Sequence, residues 1–178
     1  MKNVKVMANF NLKKLANGLD KLTADNLNVL GNNVNKAIQD GLDKGHKLNG
    51  DTHTPLKKST LNKRQQQGYP SGPPLVRSGN MRKTKKKAAT PNNQVFEIQM
   101  TGKSKRTGAY YGAYHNEGYT NSPKSAYPAK KVPKREWFGI PKSAKPGGKQ
   151  MKKTITEMRR RVRTAFKTNF HSVGQYKA

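Results

Sequence analysis

The stretch LKKLANGLDKLTADNLNVLGNNVNKAIQDGL, residues 12–42, is the most regular part of the chain. Its apolar residues recur at spacings of three and four, which is the period of one face of an α-helix. These residues are Leu12, Leu15, Leu19, Leu22, Leu27, Leu30, Val34, Ile38 and Leu42. A small phase slip follows Leu22, so the pattern predicts one long helix or two helices joined near residues 23–25. The apolar stripe predicts a partner surface in a core.

A second helix is predicted near the end of the chain. Its apolar positions are Met151, Ile155, Met158, Val162, Phe166 and Phe170. Arginine and lysine cover much of the remaining circumference, as expected for an amphipathic basic helix.

The segment between these helices predicts a small antiparallel sheet. Residues 81–89 are a weak, lysine-rich strand, and residues 95–100 alternate apolar with polar side chains. Residues 109–115 are predicted to form a third strand, with Tyr110, Gly112 and Tyr114 on one face. The predicted class is α+β, with three or four strands packed against both helices.

Two long Gly-, Pro- and Lys-rich loops, at about 45–80 and 118–149, complete the prediction. The first loop contains a candidate short helix within Pro55–Gln67. The whole chain, residues 1–178, is interpreted as one domain, whose extended loops gain stability from neighbouring subunits.

The charge of the chain is strongly one-sided. Lysine and arginine number 37 against nine acidic residues, which gives a net charge of +28. Only 31% of residues are hydrophobic, and the mean hydropathy is -1.03. Self-repulsion at this level works against a compact isolated monomer. The composition therefore predicts an anionic partner, which could be nucleic acid, an acidic protein surface or a membrane surface.

Several classes of protein are excluded or disfavoured. The chain has no cysteine, which excludes disulfides and thiolate chemistry. No apolar run is long enough for a transmembrane helix, and no signal peptide is predicted. We therefore expect a protein that is made in a cytoplasm and does not enter a membrane.

Catalytic patterns are weak. His115 and Glu117 lie two residues apart, but the other histidines are scattered and a metal site needs three converging ligands. The carboxylates are spread too thinly to hold the divalent ions of a nuclease, and no nucleophile elbow or phosphate loop is present. We predict a protein that is not an enzyme and has no cofactor and no metal.

Four basic clusters are the remaining feature: Lys83–Lys87, Lys103–Arg106, Lys130–Arg135 and Arg159–Arg163. One such run is usually a solvated face, but four with almost no balancing acid favour contact with an anionic partner. The residues predicted to contact DNA or an acidic protein are Lys83, Lys85, Lys86, Lys87, Arg159, Arg160, Arg161 and Arg163.

The order of short motifs is more specific than any one of them. After the first helix come TPLKKSTL at 54–61 and PLVRSGNMR at 74–82, then YGAYHNEG at 111–118 and VPKREWFGI at 132–140. This series resembles the phage virion-morphogenesis, or tail-completion, family over roughly residues 12–170. That family has a proline-leucine stretch, a leucine-small-glycine stretch, a tyrosine-alanine-histidine-glycine segment and a proline-x-arginine-aromatic segment in this order.

The resemblance implies a structural virion protein at the head–tail junction, assembled in the host cytoplasm. It implies a homo-oligomeric ring, with a hexamer favoured, that contacts neck, connector and tail proteins. Non-specific contact with packaged DNA is a further expectation. The expected subunit interface contains Pro55, Leu56, Trp137 and Phe138. The expected structural residues are Gly79, Tyr111, His115, Gly118, Pro133 and Arg135. The alternative is a stand-alone basic nucleic-acid-binding protein.

Overall fold

The computed structural model describes residues 12–103, 110–120 and 131–170. The helices are α1 (Leu12–Lys44), α2 (Lys58–Gln66), α3 (Tyr111–Glu117) and α4 (Lys149–Phe170). The strands are β1 (Thr84–Lys87), β2 (Glu97–Met100), β3 (Tyr119–Thr120) and β4 (Lys131–Val132). The predicted mixture of helix and sheet is confirmed. None of the helices in these ranges is both long and apolar enough to cross a membrane.

Helix α1 is continuous across the phase slip, so of the two predicted alternatives one long helix is correct and two joined helices are not. The hydroxyl of Thr23 donates to the carbonyl of Leu19 at 2.9 Å, which keeps this polar residue inside the helical pattern. Gly45 ends the helix with a φ of 67°, a conformation that glycine adopts without strain. The following N–H group, that of His46, donates to the carbonyl of Gly41 at 2.8 Å.

The predicted C-terminal helix is confirmed as α4, and it packs against α1. The side chain of Asn33 donates to the hydroxyl of Thr154 at 2.8 Å, and Thr154 is only 1% exposed. Asn26 lies beside Met158 and Val162. Because the contacts move towards the start of α1 as α4 advances, the two helices are antiparallel.

The sheet differs from the prediction. Strands β1 and β2 pair antiparallel, with Thr84 opposite Met100 and Lys87 opposite Glu97. Strands β3 and β4 form a separate two-residue pair. The prediction of one sheet with three or four strands is therefore wrong for the described residues.

The predicted third strand is also wrong, because Tyr111–Glu117 is the helix α3. Seven residues are too few to separate an alternating pattern from a helical one. Contacts with the rest of the fold decide the conformation here. The indole N–H of Trp137 donates to the carbonyl of Gly112 at 3.2 Å. A Cβ at position 112 would lie only 2.6 Å from the Trp137 ring, so glycine is needed there.

The core is small and lies at the C-terminal half of α1. Its buried members are Ile38, Leu42, Leu75 and Trp137. Trp137 is 2% exposed, so its side chain is already covered by its own chain. This position contradicts the prediction that Trp137 contacts a neighbouring subunit. Phe138 packs beside the core and remains half-buried.

Some predictions fall outside the described residues. They concern residues 104–109 of the basic loop, residues 121–130 of the second long loop and the side chain of Tyr111. The backbone of Tyr111 begins α3. The short helix predicted within Pro55–Gln67 is confirmed as α2.

Candidate partner-binding pocket and basic surfaces

Residues from four distant motifs meet around one cavity of about 550 Å³, which we call the motif pocket. Leu56 comes from the first motif, Leu75 and Arg77 from the second, His115 from the third and Arg135 from the fourth. Helix α2 supplies Lys63 and Arg64 to the same wall. The fold thus gathers the segments that carry the family resemblance into one site.

Arg64 is a buried residue in one wall of the motif pocket. Its side chain is 7% exposed and its guanidinium donates to the carbonyls of Pro74 at 2.7 Å and Pro73 at 3.3 Å. Burial lowers the pKa of Arg64, and the charges of Arg77 and Arg135 lower it further. Backbone carbonyls satisfy this guanidinium, so Arg64 has a structural role that the sequence analysis missed.

The opposite wall joins α3 to the fourth motif. The N–H of Arg135 donates to the carbonyl of His115 at 2.8 Å. Gly118 follows α3 with a φ of 76°, and a Cβ there would lie 2.9 Å from the backbone nitrogen of Lys134. Glycine is therefore required at this close approach. Asn116, which the sequence analysis did not single out, accepts two hydrogen bonds from the same segment.

The motif pocket is electrostatically unbalanced. Its cationic residues are Lys63, Arg64, Arg77 and Arg135, and none of the described residues that line it is acidic. The Nε of Arg135 and the Nδ1 of His115 are buried and have no hydrogen-bond partner within the described part of the chain. Burial lowers the pKa of Arg135. Burial and then the charge of Arg135 lower the pKa of His115.

His53 is a buried histidine whose pKa is affected by the positive charge of Arg135. It is 2% exposed, and neither ring nitrogen has a hydrogen-bond partner in the three described ranges. Its pKa is lowered to about 4 by burial first, and then by the charges of Arg135, Lys47 and His46. His53 is therefore neutral at physiological pH. No pattern in the sequence distinguished it from the other histidines.

The lysines in and next to β1 that are predicted to contact DNA or an acidic protein lie on the surface. Lys83, Lys85, Lys86 and Lys87 are all exposed. Lys86 donates to the side chain of Asn32 at 2.9 Å, and Lys87 lies 3.5 Å from a carboxylate oxygen of Glu97. Lys83 and Lys85 have no such side-chain contact within the described residues.

The arginines of α4 divide into two kinds. Arg159, Arg160 and Arg163 are exposed. Arg161 is half-buried and pairs with Glu157 at 2.9 Å, so its charge is already matched. Strand β1 and helix α4 bond to the adjacent residues Asn32 and Asn33 of α1, so both basic surfaces flank the same helix.

The remaining predicted residues have simpler positions. Pro55 and Pro133 are exposed. Gly79 adopts a φ of 73° immediately before a single turn of 3-10 helix at Asn80–Arg82. Within the three described ranges, no three His, Asp or Glu residues come together in a way that could hold a metal ion.

No family model, curated protein or solved structure matches the chain. The residues and their geometry are therefore the basis for assigning a function.

Proposed function

We propose that this chain is a structural virion protein of a tailed bacteriophage, which completes the tail or neck at the head–tail junction. It acts by binding other virion proteins and not by catalysis. The observation that supports this proposal is the convergence of the four motifs on the motif pocket. Motifs that are distant in sequence but adjacent in space are expected where a fold maintains one binding site.

The balance of charge and core supports an assembly role. A net charge of +28 opposes a compact solitary protein, and the buried apolar cluster of the described residues is small. Large apolar side chains remain exposed, including Val95 at 51% and Ile140 at 58%. Other subunits of the ring would cover such residues, and anionic partners outside the ring would neutralise the charge.

A ring is the proposed assembly, with a hexamer favoured. Closed rings need a heterologous interface, in which two different patches of the same chain meet. Pro55 and Leu56 are proposed for one patch, and Phe138 with the exposed Ile140 for the other. Trp137 has no part in this contact because it is buried in the core.

A second candidate function is stand-alone nucleic-acid binding. The exposed cations on β1 and α4 favour it, because phosphate contacts by lysine and arginine supply most non-specific affinity. This alternative predicts tight, salt-sensitive binding of free DNA or RNA by the monomer. The virion proposal predicts weak, non-specific binding of free nucleic acid and assembly into rings.

Electron microscopy of the purified full chain, alone and mixed with tail tubes, tests the proposal. Rings of uniform subunit number, or density capping the ends of the tubes, are expected. A monomer that ignores tail tubes but binds free DNA tightly would instead support the second candidate.

A further inference from the structure

We infer that the motif pocket binds the carboxylate of an aspartate or glutamate that is flanked by apolar residues in a segment of another protein. This inference names the chemistry of one partner contact. It rests on the proposed function only for the expectation that the partner is another virion protein.

The first argument is the unmet polarity of the pocket. Arg135 and His115 both line the pocket, and each also buries one side-chain nitrogen that has no hydrogen-bond partner among the described residues. Buried polar groups are normally hydrogen-bonded, and leaving one unpaired is unfavourable. A carboxylate would accept from the Arg135 guanidinium in a charge-assisted hydrogen bond. Since no lining residue is acidic, the chain does not supply this acceptor at the pocket itself.

The second argument is that two of the cations, Arg77 and Arg64, are held in place before any partner arrives. The guanidinium of Arg77 lies 4.4 Å from the ring centre of Tyr69, and it also donates to the side chain of Gln67. The guanidinium of Arg64 is held by backbone carbonyls. The bond from the N–H of Arg135 to the carbonyl of His115 fixes the main chain of Arg135 at the pocket. An ordered basic site loses little side-chain entropy on binding, which favours affinity.

The third argument concerns the apolar walls. Leu56, Leu75, Met81 and Pro74 line the same cavity as the arginines. An acidic side chain with apolar neighbours matches this mixture, because the neighbours cover the apolar wall while the carboxylate meets the cations. The phosphates of duplex DNA lie on a convex polar surface, which suits the exposed lysines of β1 better than a recessed pocket with apolar walls.

The fourth argument is the shortage of acceptors within this chain. All nine acidic residues lie in the described ranges, and ion pairs engage Asp25, Asp43, Glu97, Glu136 and Glu157. Of the rest, Asp20 and Asp51 accept hydrogen bonds from other side chains, and the exposed Asp40 and Glu117 have no such contact within the described residues. A second copy offers only these two carboxylates and repels its neighbour through its net charge of +28, so a different protein is the better source of the carboxylate.

The test begins with a random dodecapeptide library that is selected on the immobilised full chain at physiological salt. The tightest peptide is then synthesised together with an analogue in which each Asp or Glu is replaced by Asn or Gln. Binding of both is measured by fluorescence anisotropy. The parent peptide is expected to contain an acidic residue beside apolar ones, and the amide analogue to bind about tenfold more weakly.

Variants of the chain locate the binding site. Arg135→Gln and the rim variant Arg77→Gln are each expected to weaken binding of the parent peptide about tenfold, by removal of one charge-assisted contact. The matched control Lys85→Gln also removes one positive charge, but from β1, and is expected to leave the affinity unchanged. Because Arg77 is exposed, its variant is expected to fold even if Arg135→Gln does not.

A proton-linked signal provides an independent readout. A carboxylate bound beside His115 raises the pKa of that histidine, which an NMR titration with and without the peptide would detect. Equal binding of the amide analogue, equal losses in the Arg77 and Lys85 variants, or displacement of the peptide by short duplex DNA would overturn the inference. Peptide binding can succeed even if rings and tail-tube caps are absent, so failure of the pocket inference is distinguishable from failure of the proposed function.

Discussion

The backbone N–H of Trp137 donates to the side-chain oxygen of Asn116 at 3.0 Å, and the N–H of Phe138 donates to the same oxygen at 3.2 Å. One amide thus fixes the fourth motif on α3. The indole of Trp137 returns a hydrogen bond to Gly112 of the same helix. Because His115 and Arg135 lie beside these bonds in the chain, the Asn116–Trp137 contact also sets the shape of the motif pocket.

Replacement of Asn116 by alanine is expected to destabilise the fold. It leaves two partly buried N–H groups without their acceptor, and each unsatisfied group costs about 1–3 kcal/mol. We expect the free energy of unfolding, measured by urea denaturation, to fall by about 2–4 kcal/mol. Asn116→Asp keeps an acceptor oxygen and is expected to lose less. Equal losses in the two variants would mean that the hydrogen bonds are not the cause.

Two glycines of α1, Gly18 and Gly31, allow helix propensity to be separated from packing. A Cβ at Gly31 would overlap the ring of Phe96, whereas a Cβ at Gly18 would meet nothing within 4 Å. Gly18→Ala should stabilise the chain by up to about 1 kcal/mol through helix propensity. Gly31→Ala receives the same gain but displaces Phe96, and overpacking of this kind costs about 1–3 kcal/mol.

Thermal denaturation of both glycine variants checks this prediction. We expect the melting temperature to rise for Gly18→Ala and to fall for Gly31→Ala. A rise in both would show that the ring of Phe96 moves aside freely and does not anchor the start of β2 on α1.

Acidification is expected to destabilise the fold through His53. Its pKa is about 4 in the folded chain against an ordinary value of 6.5. Between these values the unfolded chain binds a proton that the folded chain does not, so the free energy of unfolding decreases as the pH falls. The full effect of the shift is about 3 kcal/mol, present above pH 6.5 and lost as the pH approaches 4.

Urea denaturation from pH 7 down to about 4 measures this dependence. His53→Gln should flatten the slope of the free energy of unfolding against pH over that window. Some slope remains in the His53 variant, because the pKa of His115 is also lowered in the folded chain. An unaltered slope in His53→Gln would contradict the assignment.

The two kinds of arginine on α4 are expected to differ in binding DNA. Arg160 is exposed, whereas Arg161 is paired with Glu157. In a plot of the logarithm of the binding constant against the logarithm of the salt concentration, each phosphate contact adds about 0.9 to the magnitude of the slope. Arg160→Gln should reduce the slope by about that amount, and Arg161→Gln by less. Fluorescence titrations with duplex DNA at several salt concentrations test this, and equal reductions would contradict the distinction.

The two long helices could be predicted from the sequence. Helices α1 and α4 follow from many apolar residues at helical spacing, a signal that is strong because it is repeated over several turns. The β1–β2 pair and α2 were found from shorter patterns. Helix α3 was misassigned because its seven residues carry too few periods, and because the packing of Trp137 against Gly112 is a contact between distant residues.

The site was predictable only in part. The motif order pointed to His115 and Arg135, and the structure places both in one pocket. The structural role of Arg64 could not be predicted, because nothing in the sequence distinguishes it from the other basic residues. Only the structure shows that it donates to the carbonyls of Pro73 and Pro74. Trp137 was misplaced at an interface because a lone tryptophan is equally typical of a core and of a binding surface.

The most direct test of the proposed function is reconstitution of head–tail joining. Tails assembled without this chain are mixed with filled heads, with and without the purified full chain, and joined particles are counted by electron microscopy. We predict that particles form only when the chain is added, and that it is located in a ring at the junction. Equal joining in its absence, with the chain found on free DNA, would contradict the proposal.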